Sequence, residues 1–284
     1  MKNSRRLIPQ KEIKQTYIFQ VNAFVAKSCT GNPAGVCLQP AKKDVAFYQK
    51  VAIKMDMAET AFIYWEGGNY QLRWFTANGS EVDLCGHATL AASHILWSKG
   101  YMAADKPIFY DTKSGVLSAR KKSVLITLDF PRDDVKELKS KKPDLAAALD
   151  VTPLYTGETK FDYFVVVDSA ATVKNLKPDL QRLKKLLNRG VIVTAKAKSR
   201  EYDFVSRFFA PGIGIDEDPV TGSAHTALGY YWGAILKKKE LTGYQASKEG
   251  GIVKVTVLKE RVLVGGKAKE IPLNPALKQA ILSY

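Results

Sequence analysis

Two apolar helical segments, each opening on a glycine, constrain this chain more than any other feature. The first begins at Gly86 and continues to Trp97, before Gly100; the second covers residues 222–236. Alanine, leucine and tryptophan occur all around both segments, so we expect both helices to be buried. Stretches typical of β-strands surround each helix. The sequence therefore predicts an internally duplicated α/β protein with two strand-rich halves, each wrapped on a central helix.

The length and composition fit a globular protein of two domains. The chain has 284 residues, of which 46% are hydrophobic and 25% charged, which argues against disorder. No apolar run approaches the roughly 20 residues of a membrane span, and no long apolar stretch follows the basic N-terminus. Cys29, Cys37 and Cys85 cannot all pair and lack zinc-type spacing. We therefore expect a cytoplasmic, reduced protein without a membrane partner or a bound metal.

The formal net charge of +15 comes from 43 Lys+Arg against 28 Asp+Glu. Such an excess permits binding to nucleic acid, a membrane surface or an anionic substrate. The lysine runs are short and scattered, however, and no nucleic-acid recognition motif accompanies them. We expect a solvated basic surface, a small anionic substrate and no nucleic-acid partner.

The chain divides at changes in its patterning. Residues 1–16 form a basic extension, 17–130 the first half and 131–270 the second, while 271–284 can return to the first half. Asp44 is a good N-cap for a helix with Val45, Tyr48 and Met55 on one face. A basic amphipathic helix spans 179–188 and is closed by Gly190. The predicted strands cover 17–25, 59–64, 70–76, 108–112, 124–130, 163–167, 191–194, 202–209, 252–258 and 261–264.

The starts of the two apolar helices are candidate anion sites. A helix N-terminus presents unpaired N–H groups and the positive end of the helix dipole, and glycine lets a ligand approach them closely. We expect the two starts to face each other across a cleft and to hold a carboxylate. The alternative is that each glycine only relieves a tight turn. The candidate substrate-binding residues are Gly86, Ala88, Thr221, Gly222 and Ala224.

Two titratable residues lie beside these starts, and Glu59, elsewhere in the sequence, is a third candidate. His87 follows Gly86, and the helix dipole should keep it neutral for proton transfer; a packing histidine is the alternative. Asp218 precedes Pro219, where a turn aspartate is equally expected. Glu59 lies among apolar residues where a helix meets a strand, so desolvation would raise its pKa and suit it to acid/base work. It could equally face solvent at a strand edge.

Motifs spread from Tyr17 almost to the C-terminus carry a family resemblance. They are QVNAF (20–24), GNPA (31–34), AETAF (58–62), LRWFT (72–76), EVDLCGHAT (81–89), RFFAP (207–211) and EDPVTGSAH (217–225). In these motifs the chain resembles the PhzF-like family of phenazine biosynthesis-type isomerases, which shares the diaminopimelate epimerase fold.

The resemblance implies an α/β protein of two similar halves, each a mixed sheet curled around a central helix, with the active site between them. It implies a homodimer without metal or organic cofactor. The phenazine enzyme moves a proton across the ring of trans-2,3-dihydro-3-hydroxyanthranilic acid. By resemblance, Glu59 takes and returns the proton, while His87, Asp218 and Ser223 orient and protonate the substrate. Gly86 and Gly222 would frame its carboxylate.

Two other functions stay open. Racemases of the superfamily use one cysteine from each half, and Cys85 lies where one such thiol would be. Its counterpart is Thr221, which cannot act as a thiolate base, so this mechanism is disfavoured and Cys85 is expected to be a buried small residue. A non-catalytic binding protein is the other alternative. A metal site on His87, His94 and His225 is disfavoured, because their spacing lacks a carboxylate motif.

Overall fold

A computed structural model describes residues 9–139, 142–187 and 189–284. These residues form two compact units by their internal contacts. The first unit comprises 9–23, 33–129 and 266–284, and the second comprises 24–32 and 130–265. Residues 1–8 of the predicted extension lie outside the described residues. No helix within the described part of the chain combines the length and apolar character needed to cross a bilayer.

The first unit is a mixed sheet with helices. Its elements are β1 (Tyr17–Val25), β2 (Asn32–Leu38), α1 (Val45–Met55), β3 (Glu59–Glu66), β4 (Asn69–Thr76), β5 (Glu81–Val82), α2 (Gly86–Ser98), β6 (Ile108–Thr112), β7 (Gly115–Lys122) and β8 (Leu125–Pro131). The strands are ordered β1-β2-β3-β4-β6-β7-β8, with β5 on β4. The pairs β2–β3 and β4–β6 are parallel, whereas β3–β4, β6–β7 and β7–β8 are antiparallel.

Helix α1 follows its predicted capping. The Asp44 carboxylate accepts a hydrogen bond from the Phe47 N–H at 2.7 Å, which satisfies one of the first-turn amides. Tyr48 and Met55 are buried as predicted, and the Tyr48 ring packs against Phe62. The prediction for Val45 is wrong: it is 48% exposed, because the first turn extends past the core that the helix covers.

Helix α2 is buried along its length, as predicted, except at His94 and Ser98. It ends where the sequence indicates, since Gly100 adopts a positive φ of 73° and the Tyr101 N–H donates to the Leu96 carbonyl. Helices commonly end in this left-handed conformation, which glycine adopts without strain.

Part of the predicted N-terminal extension packs on the first unit. The Gln10 N–H donates to the Tyr101 carbonyl at 3.0 Å, and Ile13 is only 6% exposed. Burial of an isoleucine side chain fixes this segment on the first unit.

The second unit is also built on a mixed sheet. Its elements are β9 (Lys136–Glu137), α3 (Pro143–Leu149), β10 (Tyr155–Glu158), β11 (Asp162–Val166), α4 (Ala170–Asn175), α5 (Leu180–Leu186), β12 (Gly190–Lys196), β13 (Phe204–Phe209), α6 (Ala224–Leu236), β14 (Glu240–Gln245), β15 (Gly251–Val257) and the first residues of β16 (Arg261–Ile271). From residue 266 onward, β16 belongs to the first unit. Strands run in the order β9-β10-β11-β12-β13-β14-β15-β16, and β11–β12 and β13–β14 are parallel. The last helix, α7 (Pro275–Leu282), belongs to the first unit.

Successive side chains along a strand point to opposite faces of the sheet, and in the second unit both faces are buried. On one face, Val191 and Val193 pack with Leu149 and Leu183 of the small helices α3 and α5. On the other face, Ile192 packs with Leu228 and Trp232 of α6. Helix α6 thereby occupies the position expected for the second central helix.

Two predicted helix boundaries in the second unit are wrong. Helix α6 begins at Ala224 rather than Gly222, because Gly222 and Ser223 form a turn, and Ile235 in its last turn is 58% exposed. Helix α5 ends at Leu186, and residue 188 of the predicted span lies outside the described residues. Gly190 does not cap the helix but is the first residue of β12. A Cβ at this position would lie 2.3 Å from Phe208 Cζ, so the packing of Phe208 explains the glycine.

Gly229 is the point of close contact between α6 and β15. A Cβ at this position would lie 2.3 Å from Val255 Cγ1. Helix propensity alone favours alanine by about 1 kcal/mol, but overpacking costs about 1–3 kcal/mol. We expect Gly229→Ala to lower the free energy of unfolding, measured by urea denaturation. Adding Val255→Ala should recover part of that loss, and a Gly229→Ala variant as stable as wild type would contradict the close packing.

Candidate active site

A buried cluster of Glu59, Cys85 and His87 lies in the first unit. Glu59 is the first residue of β3, held between Ala34 of β2 and Thr76 of β4. Its Oε2 lies 3.2 Å from His87 Nε2, with side-chain exposures of 12% and 5% for Glu59 and His87. The carboxylate is therefore not a solvent-facing residue at a strand edge. It is placed for proton exchange with an imidazole.

The start of α2 carries the second half of this cluster. Cys85 is the extended N-cap, its thiol does not cap a backbone N–H of the helix, and it is buried. Its Sγ lies 3.5 Å from His87 Nδ1. Cys85 is thus a small buried residue, as predicted, and it also contacts His87, which the sequence did not indicate.

The α2 start also offers backbone groups to an anion. The first intrahelical bond runs from the Thr89 N–H to the Cys85 carbonyl at 3.2 Å. The N–H groups of Gly86, His87 and Ala88 precede it, so they have no acceptor within the helix. Together with the helix dipole, they form a place where a carboxylate is stabilised.

Glu59, Cys85 and His87 are also the candidate metal ligands among the described residues, because one donor atom from each lies within 4.8 Å of the others. The two ring nitrogens of His87 face different groups, however, Nδ1 the thiol and Nε2 the carboxylate. A metal takes one nitrogen of an imidazole, so a shared ion would have to displace one of these contacts. The observed contacts, which use both ring nitrogens, therefore fit a polar cluster around His87 better than an ion site.

Asp218 lies in the second unit at the centre of a buried network. Its Oδ1 accepts from Asn32 Nδ2 at 2.7 Å, and its Oδ2 accepts from the Thr221 hydroxyl at 2.6 Å. Asp218 is 9% exposed. Both carboxylate oxygens therefore accept a hydrogen bond from a buried side chain.

Gln245, the last residue of β14, is a member of this network that the sequence reasoning missed. It is fully buried; its Oε1 accepts from the Thr221 N–H at 2.9 Å, and its Nε2 donates to the Asp218 carbonyl at 2.7 Å. Gln245 therefore fixes the turn between Asp218 and Thr221 before α6. The only signal in the sequence is a glutamine at a core-facing position of a strand that we did not predict.

The remaining predicted residues lie at the start of α6. Gly222 and Ala224 are buried, whereas Ser223 is partly exposed. Ser223 is the N-cap with helical φ and ψ, and its side chain makes no hydrogen bond to the helix. Its carbonyl accepts from the N–H and hydroxyl of Thr226. The Ser223 hydroxyl is thus not used for capping, which suits the substrate-orienting role predicted for it.

The other two histidines are not part of these clusters. His94 is partly buried on α2, and burial lowers its pKa. His225 is fully buried on α6, with its Nδ1 2.8 Å from the Thr221 carbonyl, so Nδ1 carries the proton. Cys29 and Cys37 are free and buried; burial raises the pKa of Cys37 to about 12, so it is a thiol at neutral pH.

His225 makes stability depend on pH. Burial lowers its pKa to about 4, whereas an unfolded histidine titrates near 6.5. Below pH 6.5 the unfolded chain binds a proton that the folded chain excludes, so the free energy of unfolding falls until about pH 4. We expect His225 to contribute about 2–3 kcal/mol to the loss between pH 7 and pH 4.5.

Urea denaturation at these two pH values measures the effect. His225→Asn keeps an N–H donor but does not titrate, so its stability should depend less on pH than that of wild type. The same pH dependence in both proteins would show that His225 is not responsible.

The similarity of this chain to known proteins shows its family. The model of the PhzC-PhzF family, described as phenazine biosynthesis-like protein, matches residues 21–271. The chain belongs to the phenazine biosynthesis-like family. The resemblance predicted from the motifs is confirmed. An uncharacterised isomerase from Halalkalibacterium halodurans is 47% identical over 253 residues, which cover 89% of this chain and 95% of the relative.

Similar solved structures show the fold of this chain. A PhzF-family phenazine biosynthesis protein from Enterococcus faecalis superposes with a TM-score of 0.83 and 40% identity, covering 90% of this chain and 98% of that one. A probable proline racemase from Agrobacterium radiobacter shares the fold alone, with a TM-score of 0.61, 11% identity and coverages of 91% and 93%. The predicted α/β, epimerase-like fold is confirmed, and the protein is an isomerase of this family.

Proposed function

We propose that this isomerase moves a proton between carbon atoms of a small carboxylate-bearing substrate by general acid/base catalysis, with Glu59 as the group that takes and returns the proton. The observation that carries the proposal is the largely buried Glu59 carboxylate 3.2 Å from His87 Nε2 at the start of α2. A positioned carboxylate and imidazole are the usual agents of proton transfer.

In the proposed reaction, the amides at the α2 start hold the substrate carboxylate. Glu59 removes a proton from one carbon, the electrons of the broken C–H bond move into the adjacent unsaturated system, and a proton returns at another carbon. Glu59 ends in the form in which it began. The reaction is redox-neutral, so acid/base residues suffice and we propose no cofactor. The orienting and protonating roles implied for Asp218 and Ser223 stay predictions.

Deuterium exchange tests this function. Wild-type protein is incubated in D2O with a panel that contains trans-2,3-dihydro-3-hydroxyanthranilic acid, cyclic unsaturated carboxylic acids and amino acids. Mass spectrometry should detect deuterium at carbon in at least one carboxylate of the panel. Binding of panel members without exchange would support a non-catalytic member of the family instead.

A thiol racemase is the second candidate, because Cys85 Sγ contacts His87 Nδ1. Two-thiol racemisation needs a second thiolate, and Thr221 instead donates its hydroxyl to Asp218. Exchange at the α-carbon of an amino acid that disappears in Cys85→Ser but persists in Glu59→Gln would establish this candidate over the first.

The oligomeric state and the cellular location of the protein are further parts of its proposed function. We propose a homodimer, as the family resemblance implies, and a cytoplasmic location, as the cysteine content indicates. The proposed partner is a small anionic substrate rather than nucleic acid. Light scattering after size-exclusion chromatography should give twice the monomer mass. Salt-dependent binding to duplex DNA at physiological ionic strength would contradict the proposed partner class.

A further inference from the structure

The His87 ring lies between two groups of different hydrogen-bonding capacity. Cys85 Sγ is 3.5 Å from Nδ1, and Glu59 Oε2 is 3.2 Å from Nε2. Cys85 and His87 are 6% and 4% exposed. These two contacts together constrain which ring nitrogen carries the proton.

A neutral imidazole has one donor and one acceptor nitrogen, an ionised carboxylate only accepts, and a thiol can donate. The Glu59 carboxylate 3.2 Å from Nε2 favours a hydrogen on that nitrogen over a lone pair, which leaves Nδ1 as the acceptor. We propose that Cys85 is a positioning residue: its S–H donates to His87 Nδ1 and holds the ring in the tautomer in which Nε2, the nitrogen nearer to Glu59, carries the hydrogen. This role rests on the proposed function, because Glu59 and His87 are its reactive groups.

Two other charge states fit the contacts less well. An imidazolium between a Cys85 thiolate and the Glu59 carboxylate would add two charges to a buried cluster, and burial disfavours charges. His87 is also the second residue of α2, where the positive end of the helix dipole disfavours a cation. A thiol beside a neutral ring needs neither charge.

Nitrogen NMR reads the tautomer directly. The full chain is labelled with ¹⁵N-histidine, which reports on only three residues: His87, His94 and His225. His225 supplies an internal reference of the opposite tautomer, because its Nδ1 faces the Thr221 carbonyl. Two-bond ¹H–¹⁵N correlation spectra at pH 7.5 should show His87 protonated at Nε2 alone.

Two substitutions separate hydrogen bonding from packing. In Cys85→Ala the His87 signals should move toward a mixture of tautomers, while Cys85→Ser, which keeps an O–H donor, should retain the Nε2–H form. On any panel compound that wild type exchanges, Cys85→Ala should lower kcat about tenfold, the loss of one hydrogen bond. KM should change little, and serine should restore most of the rate.

Three outcomes would overturn the proposal. They are a doubly protonated His87 in wild type, an unchanged His87 tautomer in Cys85→Ala, and a serine variant as impaired in both readouts as the alanine variant. The NMR measurement needs no substrate. Normal exchange by Glu59→Gln would therefore refute the proposed function, whereas only the Cys85 variants and the wild-type spectrum can refute the role of Cys85.

Discussion

Replacing Glu59 with glutamine should lower the rate of proton exchange by about 100-fold or more while leaving the fold intact. Glutamine has the size of glutamate and keeps an oxygen that can accept from His87 Nε2, at the 3.2 Å separation of the wild-type contact. It cannot take a proton from carbon. General acid/base groups contribute about 10²–10⁴-fold to rates, so we expect deuterium incorporation into a panel compound to fall by about that factor.

Glu66→Gln is the matched control for this prediction. Glu66 lies in the same strand, β3, but at its exposed end. This variant should exchange deuterium at the wild-type rate, and both variants should unfold at the wild-type temperature by circular dichroism. Exchange by Glu59→Gln as fast as wild type would show that another group is the base.

The sequence correctly predicts those helices and strands that interactions between neighbouring residues determine. The Asp44 cap, the buried α2 helix and β1 need only capping, composition and branched residues. Six strands were not predicted, namely β2, β5, β7, β9, β10 and β14, and in two of them a glycine or proline conceals the strand pattern. In β14, a Cβ at Gly243 would lie 2.6 Å from the Phe204 ring. In β2, Pro33 lies near the strand start, where a missing N–H is tolerated.

The candidate site was predictable only as separate parts. Glu59 and His87 were selected for their local settings, 28 positions apart, and the sheet and helix bring them to 3.2 Å. The contacts of Cys85 and Gln245 depend on side-chain directions that no spacing rule supplies. Cys85 faces the His87 ring, and Gln245 reaches the turn before α6 from a neighbouring strand. Residues that support a site through another residue are therefore the ones that sequence reasoning misses.

Two substitutions of Asp218 distinguish a structural role of this residue from a reactive one. Asp218→Ala removes the acceptor of both Asn32 Nδ2 and the Thr221 hydroxyl, which are buried. Hydrogen bonds to charged groups contribute about 1.5–3 kcal/mol each, so we expect the free energy of unfolding to fall by about 3–5 kcal/mol in urea denaturation.

Asp218→Asn should cost only about 1 kcal/mol, the scale of a single net hydrogen bond. Its oxygen still accepts from Asn32, and the Thr221 hydroxyl can rotate to accept from the new amide. The asparagine cannot exchange a proton, so a reactive Asp218 predicts a loss of deuterium exchange of about 100-fold or more in this folded variant. Exchange within a few-fold of wild type would instead mean that Asp218 acts by fixing Thr221 and the turn before α6, which is the role its two accepted hydrogen bonds already describe.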